Sequence, residues 1–101
     1  MVKKVEDIWA KHINISPVIA GGRPHIVGHR ITVHNVVIWH RQLGMSVTEI
    51  ASAYGLRLVD VNAALGYYHD HINEVEQFII EDEAFVQDLR SRTRSKLDRY
   101  V

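Results

Sequence analysis

The chain of 101 residues contains no cysteine, only two prolines, and no excess of charge of either sign, with 12 Lys+Arg against 12 Asp+Glu. Without cysteine, disulfides, thiolate catalysis and cysteine-bearing zinc fingers are excluded. Without a net charge, the bulk composition advertises no polyanionic partner. Long apolar runs are missing as well: the longest, Val36-Val37-Ile38-Trp39, falls far short of the roughly 20 residues that span a bilayer. The segment Met1 to Asp7 carries no apolar stretch and does not read as a secretory signal. No Gly-x-Ser-x-Gly elbow, phosphate-binding loop or His-Glu-x-x-His pair is present, so no catalytic residue and no cofactor is expected. These absences point to a cytoplasmic, non-enzymatic protein with no membrane partner. Its 47% hydrophobic content suffices for one core in a single domain.

What is present is patterned. Residues 1–45 carry six basic groups against two acidic, residues 46–86 carry Arg57 against eight acidic groups, and residues 87–101 carry five basic against two. The zero average therefore conceals blocks of +4, −7 and +3. Asymmetry of this size bears on partners and field rather than on fold.

Ser16-Pro17 and Gly21-Gly22-Arg23-Pro24 are turn signals. The short β-branched runs Val18-Ile19-Ala20 and His25-Ile26-Val27 around them predict a small hairpin or two short strands. Helix follows. Thr32 reads as an N-cap before an apolar stripe of Val33, Val36, Val37, His40 and Leu43, with Gly44 closing it. Ser46-x-x-Glu49 is a capping box opening a second, short helix that Gly55 ends. A third helix begins near Leu58, with Leu58, Val61, Leu65 and Tyr68 on one face. From Asn73, the stripe Val75, Phe78, Ile79, Phe85, Val86 and Leu89 predicts one long helix or two joined near Asp82. The expected fold is mainly α: a homeodomain-like helix-turn-helix bundle with a short N-terminal β-hairpin and a long C-terminal helix. Residues 1–72 form the hairpin and helix-turn-helix, and residues 73–101 a helical extension of the same domain with a basic tail.

The second and third helices carry the functional signal. A helix-turn-helix needs a small residue where its helices cross, a φ > 0 residue in the turn and apolar residues locking the second helix on the first. Ala51, Gly55, Leu56 and Val61 fill those roles, although short helix pairs in plain bundles use the same pattern. The expected outward set is Arg57, Val59, Asp60, Asn62, Ala63, Gly66 and Tyr67. Of these, Arg57 and Asn62 alone are good base or phosphate ligands. One arginine in an acidic block is too little for affinity dominated by phosphate contacts. DNA binding would therefore recruit Arg23, Arg30, Arg41 or the C-terminal Arg cluster beside Arg57 and Asn62, in a homodimer.

From Ile15-Ser16-Pro17-Val18-Ile19, through Gly22-Arg23-Pro24-His25-Ile26-Val27-Gly28-His29-Arg30-Ile31-Thr32-Val33, to Leu43-Gly44-Met45-Ser46 and Ala63-Ala64-Leu65-Gly66-Tyr67-Tyr68, the chain resembles the prokaryotic domain of unknown function 433 family. The resemblance implies a helix-turn-helix core with a short β element. It also implies a role as the antitoxin of a VapBC-type toxin–antitoxin pair, partnered by a PIN-like ribonuclease toxin. His29, His40 and Arg57 stand where the family usually has Thr, Leu and a helix-capping Thr.

Further candidates follow from chemistry. Phe78 and Phe85 on the C-terminal stripe are expected to dock on a toxin or on a second copy, because a lone terminal helix seldom buries both sides. Arg90, Arg92 and Arg94 read as a solubilising end, as a phosphate-contacting arm, or, under the family resemblance, as a segment entering the carboxylate cluster of a PIN-like nuclease by bidentate pairing. His25 and His29 share a face of an extended strand, but no carboxylate lies near them in sequence, and no metal site is expected. The run Glu74, Glu76, Glu81, Asp82 and Glu83 reads as a solvated helix face. The alternative to the antitoxin reading is a homo-oligomeric interaction module without DNA affinity.

Overall fold

In the computed structural model, which describes residues 9–98 with side chains through Asp88, each helix starts at a local signal. The elements are β1 (Ile13–Asn14), a 3₁₀ turn (Ala20–Gly22), β2 (His25–Ile26), α1 (Val33–Val37), a π-helical turn (Ile38–Gln42), α2 (Val47–Tyr54), α3 (Leu58–Asp70) and α4 (Ile72–Asp98). Thr32 caps α1: its hydroxyl accepts the Asn35 N–H at 3.2 Å while the Asn35 side chain accepts the Thr32 N–H at 3.2 Å. Ser46 and Glu49 make the same reciprocal pair at 3.1 Å each at the start of α2. Gly55, at φ 66°, ends α2 in the left-handed conformation that only glycine adopts freely.

α1 does not continue as regular helix. It widens so that the Leu43 N–H reaches the Ile38 carbonyl at 3.1 Å, and Leu43 swings out to 66% exposure, leaving the predicted stripe one turn early. The widened turn is held from two sides. Trp39 stacks on Tyr54 of α2 with ring centroids 3.7 Å apart, and His40 Nδ1–H donates to the Met45 carbonyl at 2.8 Å.

The sheet corrects the sequence reading. β1 pairs antiparallel with β2, Ile13 opposite Ile26 and Asn14 opposite His25, whereas Val18-Ile19-Ala20 is not a strand. Ala20, Gly21 and Gly22 all take positive φ, which extended backbone excludes, and Val18 is exposed. Ile13 and Ile26, by contrast, are fully buried, so burial of the pair selects this register.

The core gathers Ile13, Ile26, Val33, Val36, Ile50, Val61, Ala64, Tyr67 and Val75. α3 runs through its middle, touching α1, α2, α4 and both strands. That is why α3 has no single apolar face: Val61, Ala64 and Tyr68 are buried, and so are Asp60, Ala63 and Tyr67, while Leu58 is half exposed. A single residue, His71, joins α3 to α4. Its ring stacks on Tyr67 at 4.0 Å, and its Nδ1–H donates to the Tyr67 carbonyl at 3.0 Å. α4 is one continuous helix through the acidic triplet Glu81–Glu83. Val75 and Ile79 anchor it to the core, and beyond Asp82 it leaves the domain.

Candidate functional site

The helix-turn-helix forms as its residues dictate. Ala51 and Leu56 are buried, Val61 is fully so, and the Leu56 N–H closes the turn on the Ala51 carbonyl at 2.9 Å. The surface it presents differs from the predicted one. Asp60, Ala63 and Tyr67 point inward, and Gly66 lies beneath the Trp9 ring, where an added Cβ would sit 2.4 Å from a ring carbon. Trp9 is fixed there by its indole N–H, which donates to Asp70 at 3.2 Å. The outward face of α3 is Leu58, Val59 and Asn62.

Arg57 opens α3 without a hydroxyl cap, and Asp60 supplies what is missing. Its carboxylate accepts the Arg57 backbone N–H at 3.3 Å and the Arg57 guanidinium at 3.2 Å from two nitrogens. His12 Nδ1–H donates to the same carboxylate at 3.3 Å. Burial pushes the Asp60 pKa up, but these donors outweigh it and hold the carboxyl below its ordinary value. The Arg57 charge, although its side chain is solvent-facing, is matched within the chain.

Of the two turn arginines expected at DNA, only Arg30 stays available to solvent. Arg30 is exposed and has no ion pair among the described residues. Arg23 is a clamp: its guanidinium donates to Asp82 at 2.7 Å and to Glu81 at 3.0 Å, and lies 4.9 Å from the centre of the Phe78 ring. His34, 4% exposed, completes the cluster. Its Nε2–H donates to Asp82 at 2.8 Å, so Nδ1 is a bare lone pair with no hydrogen-bond partner among the described residues. Burial drives the His34 pKa below its ordinary value, with Asp82 opposing in part. Burial alone would raise Asp82, but Arg23 and His34 bring it below the usual carboxylate value.

Sequence reasoning missed this cluster, because two of the carboxylates read as a solvated face are its acceptors. A third member of that run, Glu76, accepts the Tyr68 hydroxyl at 2.9 Å. Among the described residues no group of three or more His, Asp or Glu gathers as a metal site. His25 is buried with its Nδ1–H on the Arg23 carbonyl at 3.3 Å.

α4 carries the partner-binding candidates. Phe78 is partly covered by Arg23 and His34, whereas Phe85 is 64% exposed. Arg90, Arg92 and Arg94 lie on the helical backbone beyond the side chains described. Between α4 and the π turn runs a groove of about 370 Å³ lined by Val37, Arg41, Gln42, Tyr68, Glu76, Ile79 and Ile80.

Residues 13–68, the sheet and all of the helix-turn-helix but the last two residues of α3, match the family described as "Protein of unknown function (DUF433)". The chain belongs to the DUF433 family. Within DUF433, a member from Anabaena variabilis ATCC 29413, whose crystal structure was solved at 2.00 Å resolution, is 31% identical, with a TM-score of 0.65 over 72% of each chain. No curated protein matches. The DUF433 signature string has a structural job in this chain: the Val33 N–H bonds the Pro24 carbonyl at 3.0 Å and the Ile26 N–H bonds the Ile31 carbonyl at 2.8 Å. Gly28, at φ 83°, lets the strand turn back between them. No helix among the described residues of this DUF433 chain is long and apolar enough to cross a membrane.

Proposed function

We propose that the chain is a cytoplasmic antitoxin of the VapBC type, a binding protein rather than an enzyme, whose α4 docks as a homodimer on a PIN-like ribonuclease. One observation carries this reading. Glu83, Ala84, Phe85, Val86, Gln87 and Asp88 are all exposed, and six consecutive helical residues cover the whole circumference of a helix. α4 therefore stands clear of the domain over Glu83 to Asp88, and a short helical segment is marginal in water without a partner. The projecting half offers an aromatic anchor, Phe85, followed by Arg90, Arg92 and Arg94. Such a surface suits a partner with an apolar rim and a carboxylate-lined pocket. Co-expression with a PIN-like protein encoded beside this chain is expected to yield a stable complex with ribonuclease activity suppressed. Removing residues 90–101 is expected to release that activity. Undiminished binding and inhibition by the truncated chain would overturn the docking assignment.

Promoter binding is the second activity. The helix-turn-helix geometry supports it, with Arg30 and Asn62 exposed, while the pairing of Arg57 with Asp60 and of Arg23 with α4 leaves few phosphate ligands on the domain. Affinity for its own promoter is therefore expected to be weak and to fall only shallowly with salt, because the slope scales with the number of phosphates neutralised. No shift at low salt would remove this activity and leave an interaction module.

A further inference from the structure

We propose that the cluster of Arg23, His34 and Asp82 is an acid-sensitive latch: a proton taken up at His34 frees α4 from α1, from Phe78 onward, while the helix-turn-helix stays folded. The device lies within this chain alone and needs neither toxin nor DNA.

The latch has a fixed side and a movable side. His34 belongs to the fixed side. It lies in the first turn of α1, beside the buried Val33 and inside the reciprocal cap that Thr32 and Asn35 close. Asp82 belongs to the movable side. Among the described residues the buried side chains of α4 are Val75 and Ile79, and none follows Ile79. Beyond it α4 is fastened by polar groups: Asp82 and Glu81 on Arg23, and Asp82 on His34. Only His71 joins α4 to α3, so α4 can leave without unwinding its neighbour.

Protonation turns the imidazole against this fastening. Nε2–H already donates to Asp82 at 2.8 Å, so an incoming proton goes to Nδ1. Nδ1 is buried, and among the described residues nothing reaches it to accept a hydrogen bond. A buried donor without an acceptor costs its full desolvation. The new positive charge also lies beside the Arg23 guanidinium, whose Nη1 is 3.3 Å from Nε2. α1 holds no other charged group, and the Thr32 hydroxyl, 3.4 Å from Nε2, is neutral. On α4, Asp82 attracts the imidazolium but is shared with Arg23 at 2.7 Å. Glu81 sits on the other terminal nitrogen of Arg23, with 49% of its side chain exposed. Once α4 lifts, water reaches both ring nitrogens. The open form then holds the proton more tightly, and proton uptake favours opening.

Backbone amide exchange on the full chain, corrected for the intrinsic rate, reads this opening. The amides of Phe78 to Glu83 are expected to be less protected than those of Val61 to Tyr68 in α3, at pH 7 and at pH 5, because α4 opens on its own. Their protection is expected to fall about tenfold from pH 7 to pH 5, within the limit of about a hundredfold that one proton sets over that range. In His34→Gln, which keeps a donor for Asp82 and does not titrate, the fall is expected to vanish. In the unaltered chain the ring resonances of His34 are expected to titrate in step with the opening of α4, a readout that serves even if the variant does not fold. Protection of Phe78 to Glu83 equal to that of α3 at both pH values, or unchanged between them, would overturn the latch. So would the same fall in His34→Gln, or a His34 titration out of step with the opening.

Discussion

Arg23 shows how one side chain ties distant parts of the sequence. It sits in a turn before β2, yet its acceptors Asp82 and Glu81 are 59 and 58 residues away. Losing it leaves Asp82 with a single donor and uncovers the Phe78 ring. Arg23→Ala is expected to cost about 1–2 kcal/mol in urea unfolding, the range for charge-assisted hydrogen bonds partly screened by solvent. The same cluster fixes the direction of the pH response. His34 has a folded pKa below its ordinary 6.5, so the unfolded chain binds its proton first. Its contribution is present above 6.5 and is lost as pH falls from there toward the folded value. Asp60 and Asp82 lie below their ordinary 3.8, and their contribution is lost as pH falls through that value and below. Denaturant midpoints are expected to be highest near neutrality and to fall in two stages on acidification. Constant midpoints between pH 7 and 5 would contradict the burial of a neutral His34. None of this could be read in the sequence, because an acidic run on a helix gives no sign of which arginine will reach it.

At the scale of elements, local chemistry was legible and tertiary selection was not. Thr32, Ser46 and Gly55 each act on their own neighbours, and each sits where the sequence places it. Ser46→Ala is expected to cost about 1 kcal/mol in thermal or urea unfolding, because the Glu49 N–H in the first turn of α2 loses the hydroxyl that accepts it. The helix-turn-helix residues Ala51, Leu56 and Val61 were legible for the same reason. β1 was not: a two-residue strand has no periodicity, and its choice of Ile13 over Val18 depends on which isoleucine the core buries. The outward face of α3 was misjudged because a helix packed on several sides loses its amphipathic signature. Gly66 illustrates the point, since it reads as an outward position and is in fact a seat for Trp9. Gly66→Ala is expected to lift the indole from α3 and break its bond to Asp70. The Trp9 indole N–H resonance then shifts toward a solvent value while that of Trp39, stacked on Tyr54, stays put.

For the molecule as a whole, the division that matters lies within α4. Up to Asp82 the helix belongs to the core, through Val75, Ile79 and the Arg23 clamp; beyond it, Glu83 to Asp88 are exposed. Phe85→Ser is expected to leave unfolding free energy within about 0.5 kcal/mol of the full chain, as for surface changes elsewhere, because the Phe85 ring is 64% exposed. A larger loss would show that the projecting half already packs on its own domain or on another copy. The acidic block acquires a meaning at this scale: Asp82 and Glu81 within it secure α4 to the domain through Arg23.

The single-residue joint at His71 has a mechanical consequence. With the joint as fulcrum, the Arg23–Asp82 contact lies roughly 16 Å along α4 and the end of the helix, Asp98, roughly 40 Å along it, at 1.5 Å per residue. α4 is a lever whose fastening sits less than halfway out. A displacement of the fastening is magnified about two and a half times at the tip, and torque applied at the tip by a bound protein concentrates on two carboxylates and one guanidinium. Whatever grips the far end of this helix pulls directly on His34 and on the turn before β2.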